Sequence, residues 1–267
     1  MWDPTQYARF ARERARPFHD LLAQVTLAHV KQAADLGCGP GELTRTLVER
    51  WPDASVAGVD SSTEMLARAQ AHVLPGRLRF EQADMTGWTS PVPLDLIVSN
   101  AAIQWVSGHE RVLAHWAAML APGGALAVQI PYRFHSLAQD ALDAAAQDRR
   151  WAPRLRGVGL SRDSVHSLNW YVRRLQELGL DVNAWKTTYH HLLTGENPVL
   201  EWFKGSALRP LLARLAPDEV PAFLHEAGWR LRMAYPTRHG VTALPFTRLF
   251  FVATRRQGVT GPSPAAP

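Results

Sequence analysis

Gly37, Gly39 and Gly41 stand at alternate positions in the run Asp35 to Gly41, D-L-G-C-G-P-G. Glycine tolerates positive φ and carries no side chain, so a backbone with this spacing can turn tightly and lie against a nucleoside or amino-acid group of a ligand. An acid follows: Asp60 closes S-V-A-G-V-D at Ser55 to Asp60, about twenty residues on, where an α/β nucleotide site places its ribose-binding carboxylate. Glu42 occupies the place of the third glycine of the dinucleotide pattern G-x-G-x-x-G, so the run departs from that fingerprint. A loop of this kind must be held between a strand and a helix. Gln32 to Leu36 is apolar enough for a buried parallel strand, and Glu42 to Trp51 puts Leu43, Leu47 and Trp51 on one helical face.

The rest of the chain must supply the scaffold. With 267 residues, 46% of them apolar, the chain can bury a full core as one large domain or two small ones. Cys38 is the single cysteine, which excludes an internal disulfide framework and points to a reducing compartment. Within the glycine loop Cys38 reads as a small packing residue that presents its backbone, not as a nucleophile. No apolar run approaches the roughly twenty residues that span a bilayer, and Met1 is followed by W-D-P-T rather than by a basic and apolar leader. A cytoplasmic protein is expected. No clustered Cys, His and carboxylate spacing suggests a metal site, so none is expected.

The formal charge is +5 and lysine occurs only at 31, 186 and 204, so the basic residues are overwhelmingly arginine. A planar fork of donors suits carboxylates in bidentate fashion, and a small polyanion is as good a partner for this balance as a nucleic acid. Tyr7 to Val25 reads as an amphipathic helical entry, interrupted or kinked at Pro17, with Tyr7, Phe10 and Arg14 on one face. Arg9 and Arg12 read as its solvated face.

Strands and helices then alternate: helix Ser62 to His72, strand Leu78 to Gln82, strand Leu94 to Ser99, helix His109 to Ala121 and strand Ala125 to Ile130. This order implies a largely parallel sheet with its site at the carboxyl ends of the strands, within reach of Asn100 to Trp105 and Pro131 to Arg133. Helix Ser164 to Leu178, strand Asp181 to Leu192 and a last strand Arg248 to Arg255 follow. Thr194 to Leu244 is a long connection with helical patterns at Pro198 to Leu215 and Pro217 to Tyr235, and it reads as a lid. The tail from Gln257, rich in Gly, Pro, Ser and Ala, is expected to be disordered.

D-L-G-C-G-P-G, Asp60 with Ser61, Q-A-D-M at Gln82 to Met85 and L-D-L-I-V-S-N-A at Leu94 to Ala101 stand in the order of the motifs of class I S-adenosylmethionine-dependent methyltransferases, which the chain resembles. The resemblance implies an α/β, Rossmann-like fold with a seven-stranded, mostly parallel sheet whose last strand is antiparallel. The start of that strand, around Phe246 to Arg248, would then lie beside Tyr189 to His191. The implied organisation is a single methyltransferase domain over 1–256, with a helical cap at 1–30, a cofactor core at 31–133 and a helical lid at 193–245. S-adenosylmethionine is the implied cofactor, with Tyr7, Arg16, Asp35, Gly37, Cys38, Gly39, Asp60, Ser61, Met65, Asp84, Met85, Asn100, Ala101 and Gln104 as its binding residues.

A narrower resemblance covers nearly the whole chain. Trp2, Asp3, Pro4 and Tyr7, then Arg14, Arg16 and Pro17, N-A-A-I-Q-W at Asn100 to Trp105, W-K-T-T-Y-H-H at Trp185 to His191, L-T-G-E-N-P-V-L-E-W at Leu193 to Trp202 and Arg248 resemble the trans-aconitate 2-methyltransferase family of small-molecule carboxyl methyltransferases. Tyr132 and Arg133 depart from that family's pattern, which bears on the choice of acid and not on the reaction. The resemblance implies Arg14, Trp105, Tyr189, His191, Trp202 and Arg248 as the residues that bind a polycarboxylate. A carboxylate is already ionised at neutral pH, so no general base is required. Two rival readings bear on the same residues. A nucleic-acid amino-methylating enzyme would carry Pro-Pro and an aromatic after the fourth strand, where this chain has Ala101-Ala102-Ile103. A non-catalytic binding module would show an eroded glycine loop or lack Asp60, and neither is seen.

Overall fold

Among its described residues the computed structural model has seven strands: β1 (Gln32–Leu36), β2 (Ser55–Asp60), β3 (Leu78–Gln82), β4 (Leu94–Asn100), β5 (Leu120–Pro131), β6 (Leu180–Thr194) and β7 (Val241–Arg255). Residues 11–132, 136–158 and 165–258 are described, with backbone alone for Ala11, Arg12 and Arg14. The strands form one sheet in the order β3-β2-β1-β4-β5-β7-β6, and β1 pairs in parallel with both β2 and β4. Connections from β1 therefore leave in one direction to β2 and β3 and in the other to β4 and β5. That reversal opens a crevice at the carboxyl ends of β1 and β4, where an open α/β sheet binds its ligand.

The hand of β7 follows from its ends. Tyr132, just past β5, donates its N–H to Thr247 O, while Arg255 at the far end of β7 donates to Leu120 O at the start of β5. β7 thus runs opposite to β5, as the family resemblance implies.

The helices are α1 (Ala11–Ala23), α2 (Glu42–Arg50), α3 (Thr63–Ala69), α4 (His109–Ala118), α5 (Leu137–Ala146), α6 (Ala152–Leu155), α7 (Leu168–Glu177), α8 (Pro198–Lys204), α9 (Arg209–Leu212) and α10 (Val220–Ala234). α1 runs through Pro17 without a break, and Pro17 is buried. Its C-terminal end is tied from outside, because the Arg50 guanidinium donates to Leu22 O in the last turn and to Val25 O just beyond it, at 2.5 and 2.7 Å.

Several boundaries differ from the sequence reading. β5 begins at Leu120 and not at Ala125, because Pro122-Gly123-Gly124 is absorbed as an irregularity of the ladder: Leu94 pairs with Leu120 and Leu96 already with Ala125. The helix before it accordingly stops at Ala118. α7 starts at Leu168, where Ser167 caps it by accepting from Trp170 N, and not at Ser164. β7 begins at Val241, seven residues before the strand read from the apolar run at Arg248. From Val241 to Pro245 its residues alternate in burial, while Arg248 to Ala253 are buried continuously, so only the second part carries the apolar signature.

The chain divides into two compact units. One, the sheet unit, holds Ala15–Pro131, Val165–Thr187 and the chain from Leu249; the other, the helical unit, holds Tyr132–Ser164 and Thr188–Arg248 together with the residues up to Arg14. The helical unit has its own core, with Leu142, Trp151, Trp202, Phe203, Phe223 and Leu231 among its buried residues. α5 contributes to that core through Ala138, Leu142 and Ala145, and the Tyr235 hydroxyl after α10 accepts from Ala138 N at 3.0 Å. The helical part is therefore not the 193–245 stretch alone, because residues 136–158 complete its core. The expected tail at 257–267 starts as a turn at Gln257 and Gly258, and 259–267 lies outside the described residues. No helix among the described residues is long and apolar enough to cross a membrane.

Candidate active site

The glycine loop leaves β1 with Gly37, Gly39 and Gly41 at φ of 83°, 57° and 84°, all in the left-handed region. Gly37 has a second reason to be glycine, since a Cβ there would stand 2.2 Å from Ala102 Cβ, in the segment after β4. A Cβ on Gly39 would meet nothing within 4 Å. The loop is thus pinned on one side and open on the other, the shape of a backbone cradle for a ligand. Gly37 and Cys38 both donate to Val59 O, and Gly39 N donates to Asp60 Oδ2 at 2.9 Å, so β2 fixes the loop.

Asp60 serves two backbone donors, with Oδ1 accepting from Ser62 N at 2.9 Å. Each oxygen keeps a further lone pair for a ligand hydroxyl. Ser62 in turn caps α3 by accepting from Met65 N, while Ser61 is exposed and Met65 half-buried. Asp84 lies exposed after β3 with its Oδ1 accepting from Thr86 N and Oγ1, which holds its carboxyl below the usual range, and Met85 beside it is buried.

Asp35 is buried at the end of β1 and accepts from Thr44 Oγ1 at 2.7 Å. Burial pushes its carboxyl up to about 7, against the Thr44 hydrogen bond and with the help of the neighbouring Asp60 charge. Burial likewise pushes the Cys38 thiol far up, with Asp35 and Asp60 adding to the effect, so Cys38 is a neutral packing residue as read from the sequence.

The segment after β4 is strained and heavily bonded. Ala101 has a φ of 54°, an uncommon value for a residue with a side chain. Its N–H donates to Gln129 O, and its carbonyl accepts from Gln104 Nε2 at 2.6 Å. Asn100 Oδ1 and Gln104 Oε1 are buried oxygens with no hydrogen-bond partner among the described residues. Two such acceptors beside a glycine cradle, the buried Asp35 carboxyl and Asp60 match a ligand that brings an ammonium, ribose hydroxyls and an amino group. The residues present therefore fit S-adenosylmethionine. Trp105, on the short turn Ile103–Trp105, is half-exposed and lines an open cleft of about 630 Å³ with Asp84, Thr86, Arg111 and His115.

The helical unit carries Tyr189, His191, Trp202 and Arg248 of the candidate acid-binding residues, whereas Trp105 belongs to the sheet unit. Along β6, Tyr189 and His191 point inward while His190 and Leu192 point out, the alternation of a strand with one buried face. The His191 ring stacks on Trp202 at 4.4 Å, and Phe246 packs near both. The Arg248 guanidinium lies over Phe246 at 4.7 Å and is buried, at 5% exposure. Tyr189, His191, Trp202 and Arg248 are thus brought together in one unit. Trp202 is a core residue there, so its first role is packing.

Other expected residues fall elsewhere. Arg16 is exposed on α1, 3.8 Å from Asp20 in a solvated ion pair. Tyr7, Arg133 and the Arg14 side chain lie outside the described residues. Sequence reasoning passed over Thr44, Ser62, and the buried pair His109 and Tyr171, whose side chains meet at 2.7 Å. Only Ser62 had a local signal, an N-cap serine ahead of an apolar-periodic run. Among the described residues no group of three or more His, Cys, Asp or Glu is placed to hold a metal ion.

A methyltransferase-domain model matches residues 33–124, the span from β1 to the start of β5. The chain is 48% identical over 258 residues to a trans-aconitate 2-methyltransferase of Streptomyces avermitilis, covering 94% of this chain and 96% of the relative. It is 41% identical over 264 residues to that of Mycobacterium tuberculosis, covering 97% and 100% of the two chains. Among solved structures, the YcgJ protein of Bacillus subtilis superposes with a TM-score of 0.59 at 14% identity over 90% of this chain and 98% of its own. A Haemonchus contortus phosphoethanolamine N-methyltransferase 2 complex with S-adenosylhomocysteine gives 0.54 at 17% identity over 90% and 53%. These two structures share the fold. Full-length identity of this degree with curated relatives, on the class I methyltransferase architecture, places the chain in the trans-aconitate 2-methyltransferase family.

Proposed function

We propose that this protein transfers a methyl group from S-adenosylmethionine to a carboxylate of trans-aconitate or a closely related small polycarboxylate, giving a methyl ester and S-adenosylhomocysteine. The observation that carries this reading is the reach of the similarity. It extends over 94% of the chain and so includes the helical unit with Tyr189, His191 and Arg248 as well as the glycine loop.

When bound, S-adenosylmethionine supplies an electrophilic methyl group on a sulfonium. The chain's own task is to bind and orient. Gly37 and Gly39 admit the methionine portion, Asp60 accepts from the ribose hydroxyls, and Asp84 and Met85 flank the adenine. Asn100 and Gln104 offer their buried oxygens to donors of the ligand. Arg248, His191 and Tyr189 hold carboxylates of the acid that do not react, with Arg14 as a further cation from the N-terminal helix. The reacting carboxylate is ionised at neutral pH, so positioning in place of a general base supplies up to about 7 to 11 kcal/mol of the barrier. A location in the cytoplasm suits a small metabolic acid as substrate and a free thiol at Cys38.

The test is incubation of the purified protein with labelled S-adenosylmethionine and a panel of di- and tricarboxylates, with mass spectrometry of the products. A monomethyl ester of trans-aconitate, formed faster than from citrate or succinate, is expected. Absence of a methyl ester from every polycarboxylate would refute the substrate class.

A further inference from the structure

His109 opens α4 and is buried at 2% exposure, yet the chemistry above gives it no task. Its Nε2 lies 2.9 Å from Ile103 O and 3.1 Å from Val106 O. Carbonyl oxygens only accept, so Nε2 carries the proton and donates to both. Nδ1 then accepts, and the Tyr171 hydroxyl, 2.7 Å away, donates to it. Tyr171 is fully buried, stacks on Phe251 at 5.6 Å and accepts from His166 N at 3.4 Å. Every polar atom of the two side chains is engaged, which fixes the imidazole in one tautomer and one orientation. The titratable groups that face it are Tyr171 and His166 from the α7 side and Glu110 from its own helix.

Ile103 and Val106 bracket the turn that follows the strained Ala101. At its near end the turn is tied by Gln104 Nε2 to Ala101 O, and at its far end by His109. Between them stands Ala102, the residue whose Cβ leaves no room for a side chain on Gly37. A displacement of the turn is therefore transmitted to the glycine loop through a contact with no slack.

We propose that His109 and Tyr171 form a positioning pair that holds the turn after β4 against the glycine loop, through the carbonyl oxygens of Ile103 and Val106, and so sets cofactor affinity. The inference rests on the reading that the glycine loop and the Asn100–Gln104 segment bind S-adenosylmethionine. Burial lowers the basicity of His109, assisted by His166 and opposed by the two carbonyls and Glu110, which agrees with a neutral donor.

Three variants test the pair: His109→Phe fills the space without a donor, His109→Gln returns a donor near Nε2, and Tyr171→Phe removes only the hydroxyl. Affinity for S-adenosylhomocysteine is read by calorimetry, which needs no acceptor acid, and folding by thermal denaturation. His109→Phe should bind roughly tenfold more weakly, the loss of about one net hydrogen bond's worth of positioning. His109→Gln should recover most of that loss, and Tyr171→Phe should fall between. In steady-state kinetics the KM for S-adenosylmethionine should rise while the KM for the acid stays unchanged. Wild-type affinity in a folded His109→Phe, or in Tyr171→Phe should the first not fold, overturns the pair. So does His109→Gln binding no better than His109→Phe at equal melting temperature. Failure of the wild-type protein to bind S-adenosylhomocysteine overturns the cofactor reading itself, and the pair with it, whatever the acid proves to be.

Discussion

His191 and Trp202 are stacked, with ring centroids 4.4 Å apart and planes inclined by 28°. The contact ties β6 to α8 and leaves the imidazole edge beside Phe246 and the Arg248 it carries. One aromatic thus orients two polar side chains, one by stacking and one through a neighbour.

Truncating that aromatic should cost stability first. Trp202 is 2% exposed in the core of the helical unit, and Trp202→Ala is expected to destabilise the protein by about 3 to 5 kcal/mol, with Trp202→Phe losing distinctly less. Urea denaturation of both variants measures this. Equal midpoints for Trp202→Ala and the wild type would show that the stack is peripheral.

Arg248 is the cation that the proposed function can least spare. A charge-assisted contact to a carboxylate is worth roughly 1.5 to 3 kcal/mol, so Arg248→Ala should lose on the order of ten- to a hundredfold in kcat/KM for the acid. Its affinity for S-adenosylhomocysteine should stay near that of the wild type, which calorimetry alongside the kinetics will show. An equal fall in both quantities would move Arg248 from substrate binding to general stability.

Gly37 and Gly39 should respond differently to alanine. At Gly37 the new Cβ meets Ala102 at 2.2 Å as well as a positive φ, so Gly37→Ala is expected to lose both stability and cofactor binding. At Gly39 the Cβ enters open space, so folding should suffer only the left-handed backbone cost of about 1 to 2 kcal/mol while cofactor binding falls steeply. Asp60→Ala should weaken S-adenosylhomocysteine by roughly 1.5 to 3 kcal/mol. A Gly39→Ala variant that binds like the wild type would place the ligand elsewhere.

Asp35 makes stability depend on pH. Its carboxyl is raised by burial from 3.8 to about 7, so between these values the folded state holds a proton that the unfolded state has released. The contribution is fully present below about 3.8, and it is lost as pH rises towards 7 and beyond. Asp35→Asn, which keeps an acceptor for Thr44, should flatten this slope. Urea midpoints measured from pH 5 to 8 for the two proteins decide it, and parallel curves would exclude Asp35 as the source.

With an ionised acid as nucleophile, the rate at saturating cofactor should show no essential basic limb at neutral pH. His191 then acts as a hydrogen-bond donor or a packing ring. A single deprotonation with apparent pKa between about 6 and 8 that disappears in His191→Ala would establish a general base instead.

Local chemistry alone determined the cofactor half of this protein. The glycine spacing, Asp60 at the end of an apolar run and the alternation of strands with amphipathic helices each act over a few residues, so they are legible wherever they occur. They also sufficed for the parallel core, because β1, β2 and β4 are buried along most of their length and read as apolar runs, while the edge strand β3 (L-R-F-E-Q) is buried only at Leu78. What the tertiary structure decided rests on contacts between distant positions. The start of β7 at Val241 and the irregular entry to β5 depend on partner strands, not on their own apolar content. The helical unit needs α5 from one segment and α10 from another, some eighty residues later, to close a single core. Asp35 and Thr44 are near in sequence, yet the carboxyl's elevated pKa comes from the layers packed around it. The pairing of His109 with Tyr171, 62 positions apart, has no sequence signature at all, since a buried histidine is recognisable only once the carbonyls and hydroxyl that satisfy it are in place.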